Sequence, residues 1–259
     1  MRQRMILHVV SGALLTVALM IGGQRLDAQE LAGTWEAIIT AGAGGAEGTV
    51  TFAQDGGFST DFGKAPREMR RTGVYAYDGI NEHGLAVAVA GVRQVTHQAR
   101  PGKQRVFDPY LLRKMLDGAK TVEEAVTLAE STIPFDVDES SLNAHFYVVD
   151  ATGRSVVLEY EGDQWRKTYG EGNWQALTNK PVYGVPDATL RKQCWRYHTI
   201  AEELGKAGGS VDWQAGLKIL HDVAQKGTTW SAVYSPTARD VFFSVYQSWD
   251  VVYHLQPFE

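Results

Sequence analysis

The chain has 259 residues, a formal net charge of −5 and one cysteine. That length suits one sizeable core, so one main domain is expected rather than several. An acidic balance without a dense Lys/Arg cluster argues against a nucleic-acid partner, and a single cysteine excludes any disulfide within the chain.

Arg2 and Arg4 precede an apolar run from Met5 to Ile21, and Leu26-Asp27-Ala28 offers a small residue at a cut. This order of basic, apolar and short polar parts reads as a secretory signal over residues 1–28, hence a periplasmic or secreted protein beginning near Gln29. Left uncut, residues 5–21 would act as a membrane anchor. No second apolar run is long enough to span a bilayer, so no stable membrane insertion is expected once the signal is removed.

Residues 29–72 differ in texture and are expected to form atypical N-terminal strands and a connector. Leu31–Trp35 opens a short strand, Ala41–Gly48 is a small-residue loop, Gly48–Phe58 is a strand, and Lys64–Arg71 is an exposed basic connector. Val74–Val92 follows, with two apolar runs flanking Asp78-Gly79-Ile80-Asn81-Glu82-His83-Gly84. Alternation in Leu85–Val89 predicts a strand with one packed face, and the glycines predict a turn before it. Asn81 can donate two hydrogen bonds and accept two, which suits an oxyanion site; it is equally an ordinary turn former.

Asp108-Pro109 caps a helix whose stripe is Leu111, Leu112, Met115 and Leu116. Thr121 with Glu124 three residues on is a capping box for a second helix. Asn143–Val149 and Ser155–Tyr160 pair as a hairpin about Asp150–Gly153, and Gln164–Thr168 and Trp174–Thr178 read as extended. Pro186–Leu204 and Trp213–Ala224 read as helices, with Cys194 a packing residue on the first. Thr229–Tyr234, Val241–Tyr246 and Trp249–Leu255 read as antiparallel strands. Hairpins with helices gathered between them exclude a dinucleotide-binding alternation of strand and helix and predict an α+β sandwich.

No histidine has a partner at metal-ligand spacing, so neither a metal nor a cofactor is expected. His145, at the start of a strand, is the histidine to inspect first. Asn81, Asn143, Asn179 and Arg196 stand at strand ends or on a nearby helix. Asn and Arg are the donors suited to a developing oxyanion or a carboxylate, although both are also common surface residues.

The segment Tyr77-Asp78-Gly79-Ile80-Asn81-Glu82-His83-Gly84-Leu85-Ala86 resembles the hallmark of the choloylglycine hydrolase and penicillin-acylase-related group of N-terminal-nucleophile hydrolases. The order continues through Lys120–Ala125, Asn143–Gly153, Leu177-Thr178-Asn179-Lys180-Pro181 and Thr229–Pro236, covering about residues 73–246. The resemblance implies a four-layer αββα sandwich with altered or shortened N-terminal strands, residues 73–259 forming the hydrolase-like domain. It implies action on linear amide C–N bonds, a small acyl amide as substrate or ligand, and self-association as an option. Asn81 and Asn179 would be oxyanion or substrate-positioning residues, with Arg196 in support, all three converging on one cleft.

The group's nucleophile is an N-terminal cysteine whose own amine serves as the base. No cysteine precedes the hallmark here; Gly48 stands where it would be, and Asp61 is a weak counterpart of the group's aspartate. Three readings follow. The leading one is a scaffold whose activity is impaired or lost with its nucleophile. A second is an active amide hydrolase or acyltransferase in which Thr49, freed by removal of the chain up to Gly48, replaces the cysteine. The third is a non-catalytic small-molecule-binding protein. The sequence leaves open whether the chain is an enzyme.

Overall fold

The computed structural model describes residues 6–9, 16–18, 33–41, 44–52, 58–61, 77–92, 103–106, 108–134 and 143–258. Strand β1 (Ile6–Val9) belongs with the chain from Tyr77 onward, and the residues between them form a second unit. In that unit β2 (Thr16–Ala18), β3 (Gly33–Ala41), β4 (Gly44–Phe52) and β5 (Phe58–Asp61) make an antiparallel sheet in sequence order. The loop expected over Ala41–Gly48 is instead mostly ladder, with Gly44 opposite Ala41 and Gly48 opposite Ala37. Small residues there permit a tight hairpin with long arms, which composition alone reads as loop. The basic connector Lys64–Arg71 lies outside the described residues.

The larger unit holds two antiparallel sheets flanked by helices. Its elements in chain order are β1, β6 (Asp78–Ile80), β7 (Ala86–Val92), β8 (Gln104–Val106), α1 (Asp108–Gly118), α2 (Val122–Glu130), β9 (Thr132–Pro134), β10 (Asn143–Val149), β11 (Ser155–Glu161), β12 (Gln164–Tyr169), α3 (Asp187–Gln193), α4 (Trp195–Lys206), α5 (Trp213–Asp222), β13 (Trp230–Ser235), β14 (Asp240–Val245) and β15 (Tyr253–Leu255). One sheet runs β12-β11-β10-β7-β6 and the other β1-β13-β14-β15. A short parallel pair, β8 with β9, stands apart from both.

Side-chain alternation explains how the layers stack. On β13, Ala232 and Tyr234 join Ala86, Tyr147, Val149 and Val157 of the other sheet in a shared core. Val233 points the opposite way, onto Leu217 and Leu220 of α5. Helices α1 and α2 pack on the five-stranded sheet, and α5 packs on β13 and β1. Leu111, Leu112 and Met115 of α1 are wholly buried, each worth about 1.5–3 kcal/mol relative to exposure. Residues Leu85 to Val89 are all buried, so this strand is covered on both faces, where alternation had suggested one.

Thr121 caps as spaced, Glu124 N donating to its Oγ1 at 3.2 Å, while the Glu124 carboxylate reaches one residue further back and accepts from Lys120 N at 2.7 Å. The single helix expected over Pro186–Leu204 is broken. Cys194, at φ −144° and ψ 110°, ends α3 and begins α4. Trp174–Thr178 is irregular rather than a strand. Its carbonyls meet side chains rather than a ladder, as in Tyr147 Oη donating to Gln175 O at 3.2 Å.

Candidate functional site

The site grows from the inner end of the segment between β12 and α3. Asn179 Nδ2 donates to the Gly91 carbonyl near the end of β7 at 2.7 Å. Arg196, the second residue of α4, donates from Nη2 to Asn179 Oδ1 at 2.7 Å. The break at Cys194 re-aims the chain, and α4 starts with Arg196 beside this segment. Arg196 is only 9% exposed. Among the described residues no carboxylate pairs with it, and its one polar side-chain hydrogen bond is to the neutral Asn179.

Asn81 lies elsewhere, which corrects the expected convergence of three residues. Its Nδ2 donates to the carbonyls of Leu116 (2.9 Å) and Ala119 (2.7 Å), satisfying groups at the end of α1. Its Oδ1 accepts from His83 N at 3.1 Å and Leu85 N at 3.0 Å. All four bonds of its amide are therefore spent on backbone. Asn81 sits opposite Leu85, six residues and roughly 20 Å of strand rise before the Gly91 carbonyl that Asn179 holds. Thr49 is in mid-β4 of the other unit, between Glu36 and Asp61. Asn143 begins β10, opposite Val92.

Of three further residues at this site, sequence assigns no role to two and reads the third, Cys194, only as a packing residue. His145 is wholly buried and joins two acceptors: Nδ1 lies 3.1 Å from Glu159 Oε1, and Nε2 lies 2.6 Å from the Thr178 carbonyl. Glu159 accepts from Val182 N at 3.1 Å and Tyr183 N at 2.6 Å. The third is Cys194, the residue that precedes the first turn of α4. Burial pushes this thiol up, yet the N–H groups of Tyr197 and Arg196, the Thr178 hydroxyl and the Arg196 charge outweigh burial and hold it below the usual cysteine range. The signal for His145 and Glu159 was present as a polar residue flanked by apolar ones in each of two mutually paired strands. The position of Cys194 had no local signal.

Chemically, the arrangement offers a desolvated guanidinium and an amide fixed side by side, suited to an acyl oxygen or a carboxylate. Among the described residues, no group of three or more His, Cys, Asp or Glu side chains could hold a metal ion. No helix among them is long and apolar enough to cross a membrane.

The fold is shared with penicillin V acylase from Agrobacterium tumefaciens, at 18% identity and a TM-score of 0.54, over 81% of this chain and 69% of that one. It is shared also with two variants of conjugated bile acid hydrolase from Clostridium perfringens, each at 15% identity and a TM-score of 0.59, over 98% of this chain and 84% of theirs. No curated protein sequence matches the chain significantly. The family model of linear amide C–N hydrolases, choloylglycine hydrolase family, matches residues 67–206, more than half of the chain and the stretch that contains both Asn179 and Arg196, and the chain belongs to that family.

Proposed function

We propose that this protein is an exported family member, on a four-layer αββα scaffold of the N-terminal-nucleophile type, that takes a small acyl amide against Asn179 and Arg196. With Cys194 the one cysteine of this sequence, and late in it, such amides are turned over slowly or not at all. The observation that carries this reading is the contact of the buried Arg196 with Asn179. Among the described residues no counter-charge pairs with Arg196; a buried charge so placed is costly, and a ligand oxygen bearing negative charge would offset that cost. Asn179 takes one donor of the guanidinium fork and leaves the rest for a ligand.

The test is to sequence the mature N-terminus and to assay N-acyl amides and penicillin-type amides with wild type, Thr49→Ala, Cys194→Ala and Arg196→Gln. The expected result is binding without turnover above the uncatalysed rate, and binding weakened about tenfold or more by Arg196→Gln. A cut at Gly48-Thr49 with turnover lost in Thr49→Ala would replace this reading with an active enzyme. Turnover lost in Cys194→Ala would move the nucleophile to the break between α3 and α4. Failure of every amide to bind would remove the proposal.

A further inference from the structure

Glu159 and His145 occupy opposite positions on β11 and β10, as the Phe146–Leu158 register extends to them. Both are buried, at 7% and 0% exposure, in strands whose other buried members are almost all apolar. Isolated polar side chains at such positions are costly unless every hydrogen-bonding group is matched. Here they are matched by one segment, Thr178–Tyr183. A carbonyl oxygen only accepts, so His145 Nε2 carries a hydrogen and donates it to Thr178 O at 2.6 Å. The other ring nitrogen lies in hydrogen-bond contact with Glu159 Oε1 at 3.1 Å. The two carboxylate oxygens then take the N–H groups of Val182 and Tyr183. The segment is thus tied at its first residue and again at its last two. Asn179 lies between these ties, one residue after the first.

We propose that His145 and Glu159 are a positioning pair that fixes Asn179 against Gly91 and Arg196, and so sets the ligand-binding geometry of this site. This rests on the reading of Asn179 and Arg196 as the amide site. Neither residue of the pair touches the ligand. They act through the backbone of Thr178–Tyr183, and a displacement of about 1 Å in such a site costs on the order of 100-fold in function. Asn179 reaches Gly91 and Arg196 through its own side-chain bonds, and the pair fixes the irregular backbone from which that side chain reaches them. Pro181 narrows the backbone without placing the Asn179 side chain.

The experiment uses the full chain and reads the Asn179 side-chain amide by 15N NMR, the signal being identified by its loss in Asn179→Asp. In Glu159→Gln and His145→Phe that signal should shift and its exchange with water should quicken about tenfold, the equivalent of one lost hydrogen bond. Phe146→Leu, a core change beside the pair, should lower the melting temperature and leave the signal in place. His145→Gln, which keeps an N–H for the Thr178 carbonyl, should restore part of it. Affinity for an N-acyl amide should fall in parallel with the signal rather than with the melting temperature. An unchanged Asn179 signal in folded Glu159→Gln or His145→Phe overturns the proposal. Should those two variants not fold, hydrogen exchange of Val182 and Tyr183 in the wild type decides: protection supports the pair, and exchange at the unprotected rate sinks it. If wild type binds no amide, the functional reading fails, while the positioning role is still judged on the Asn179 signal.

Discussion

At the residue scale, the break at Cys194 has a chemical consequence. Its thiol is buried, which raises its pKa, but the start of α4, the Thr178 hydroxyl and Arg196 more than reverse that effect. The thiolate fraction at neutral pH is therefore above that of an ordinary cysteine. Alkylation by a small reagent such as iodoacetamide should show its pH midpoint below that of free cysteine. Arg196→Gln should move the midpoint up, since it removes a charge that favours the thiolate. A midpoint at or above the free value would show that burial dominates. Gly84 makes the opposite kind of demand. At φ +77° it sits where an added Cβ would lie 2.2 Å from the Pro236 carbonyl oxygen. Gly84→Ala should cost about 2–4 kcal/mol, combining left-handed strain with a backbone clash that no rotamer relieves. A denaturant midpoint close to wild type would contradict this.

At the element scale, the ends of helices are secured by side chains that sequence spacing announces. Thr121 caps α2, and Asp150 accepts from Val122 N at 3.1 Å while also holding Thr152 N at 2.9 Å in its own hairpin turn. Thr121→Ala should lower stability by about 1 kcal/mol, readable as a shift in urea midpoint at unchanged slope. Strand β1 raises a sharper question. It pairs with β13 from Ile6–Tyr234 to Val9–Ser231, yet it comes from the stretch read as a secretory signal. If export removes residues 1–28, mass spectrometry of the native protein finds Gln29 first, and β13 becomes an edge strand. Its amides on that side should then exchange faster in the mature protein than in the full chain. An intact Met1 in a soluble cytoplasmic fraction would end the export reading and keep β1 in its sheet.

At the scale of the larger unit, the two sheets are joined by more than the apolar core between them. Asp78 on β6 accepts from Trp230 Nε1 at 2.9 Å and from the Tyr234 hydroxyl, so one carboxylate on the first sheet ties two aromatic side chains on the second. Burial, with the Asp78 charge, raises Tyr234 well above the usual tyrosine pKa of 10.0, and burial with Asp187 raises Tyr197 likewise. A folded-state pKa above the unfolded one means that the stabilisation is complete below pH 10 and is lost as pH rises beyond it. The melting temperature should therefore hold steady to about pH 10 and fall above it, with tyrosinate absorbance from these two rings appearing only on unfolding. Tyr234→Phe should flatten part of that alkaline decline. Titration of all tyrosines before the melting temperature falls would refute the coupling.

Much of the fold was legible because its signals are local. The capping box at Thr121, the turn at Asp150–Gly153 and the alternating strands β10, β11 and β13 each follow from neighbours within a few residues. Their order, together with the Tyr77–Ala86 segment, led to the family without any knowledge of packing. The site was less legible, because its residues meet only in three dimensions. Asn81 could be read as an oxyanion donor or as a turn former, and the fold spends all four of its bonds on the backbone of the turn and the end of α1. Arg196 and Asn179 could be named from sequence, but their contact depends on a helix break at Cys194 that no breaker residue marks, since neither glycine nor proline stands there. Sequence by itself determined which segments would be helix or strand over most of the larger unit, and which family they form. Tertiary structure alone decided that His145 and Glu159 face the Thr178–Tyr183 segment. That pairing needs the register of two strands and the path of a distant loop, and hydrogen bonds across such separations leave no period or spacing in the chain.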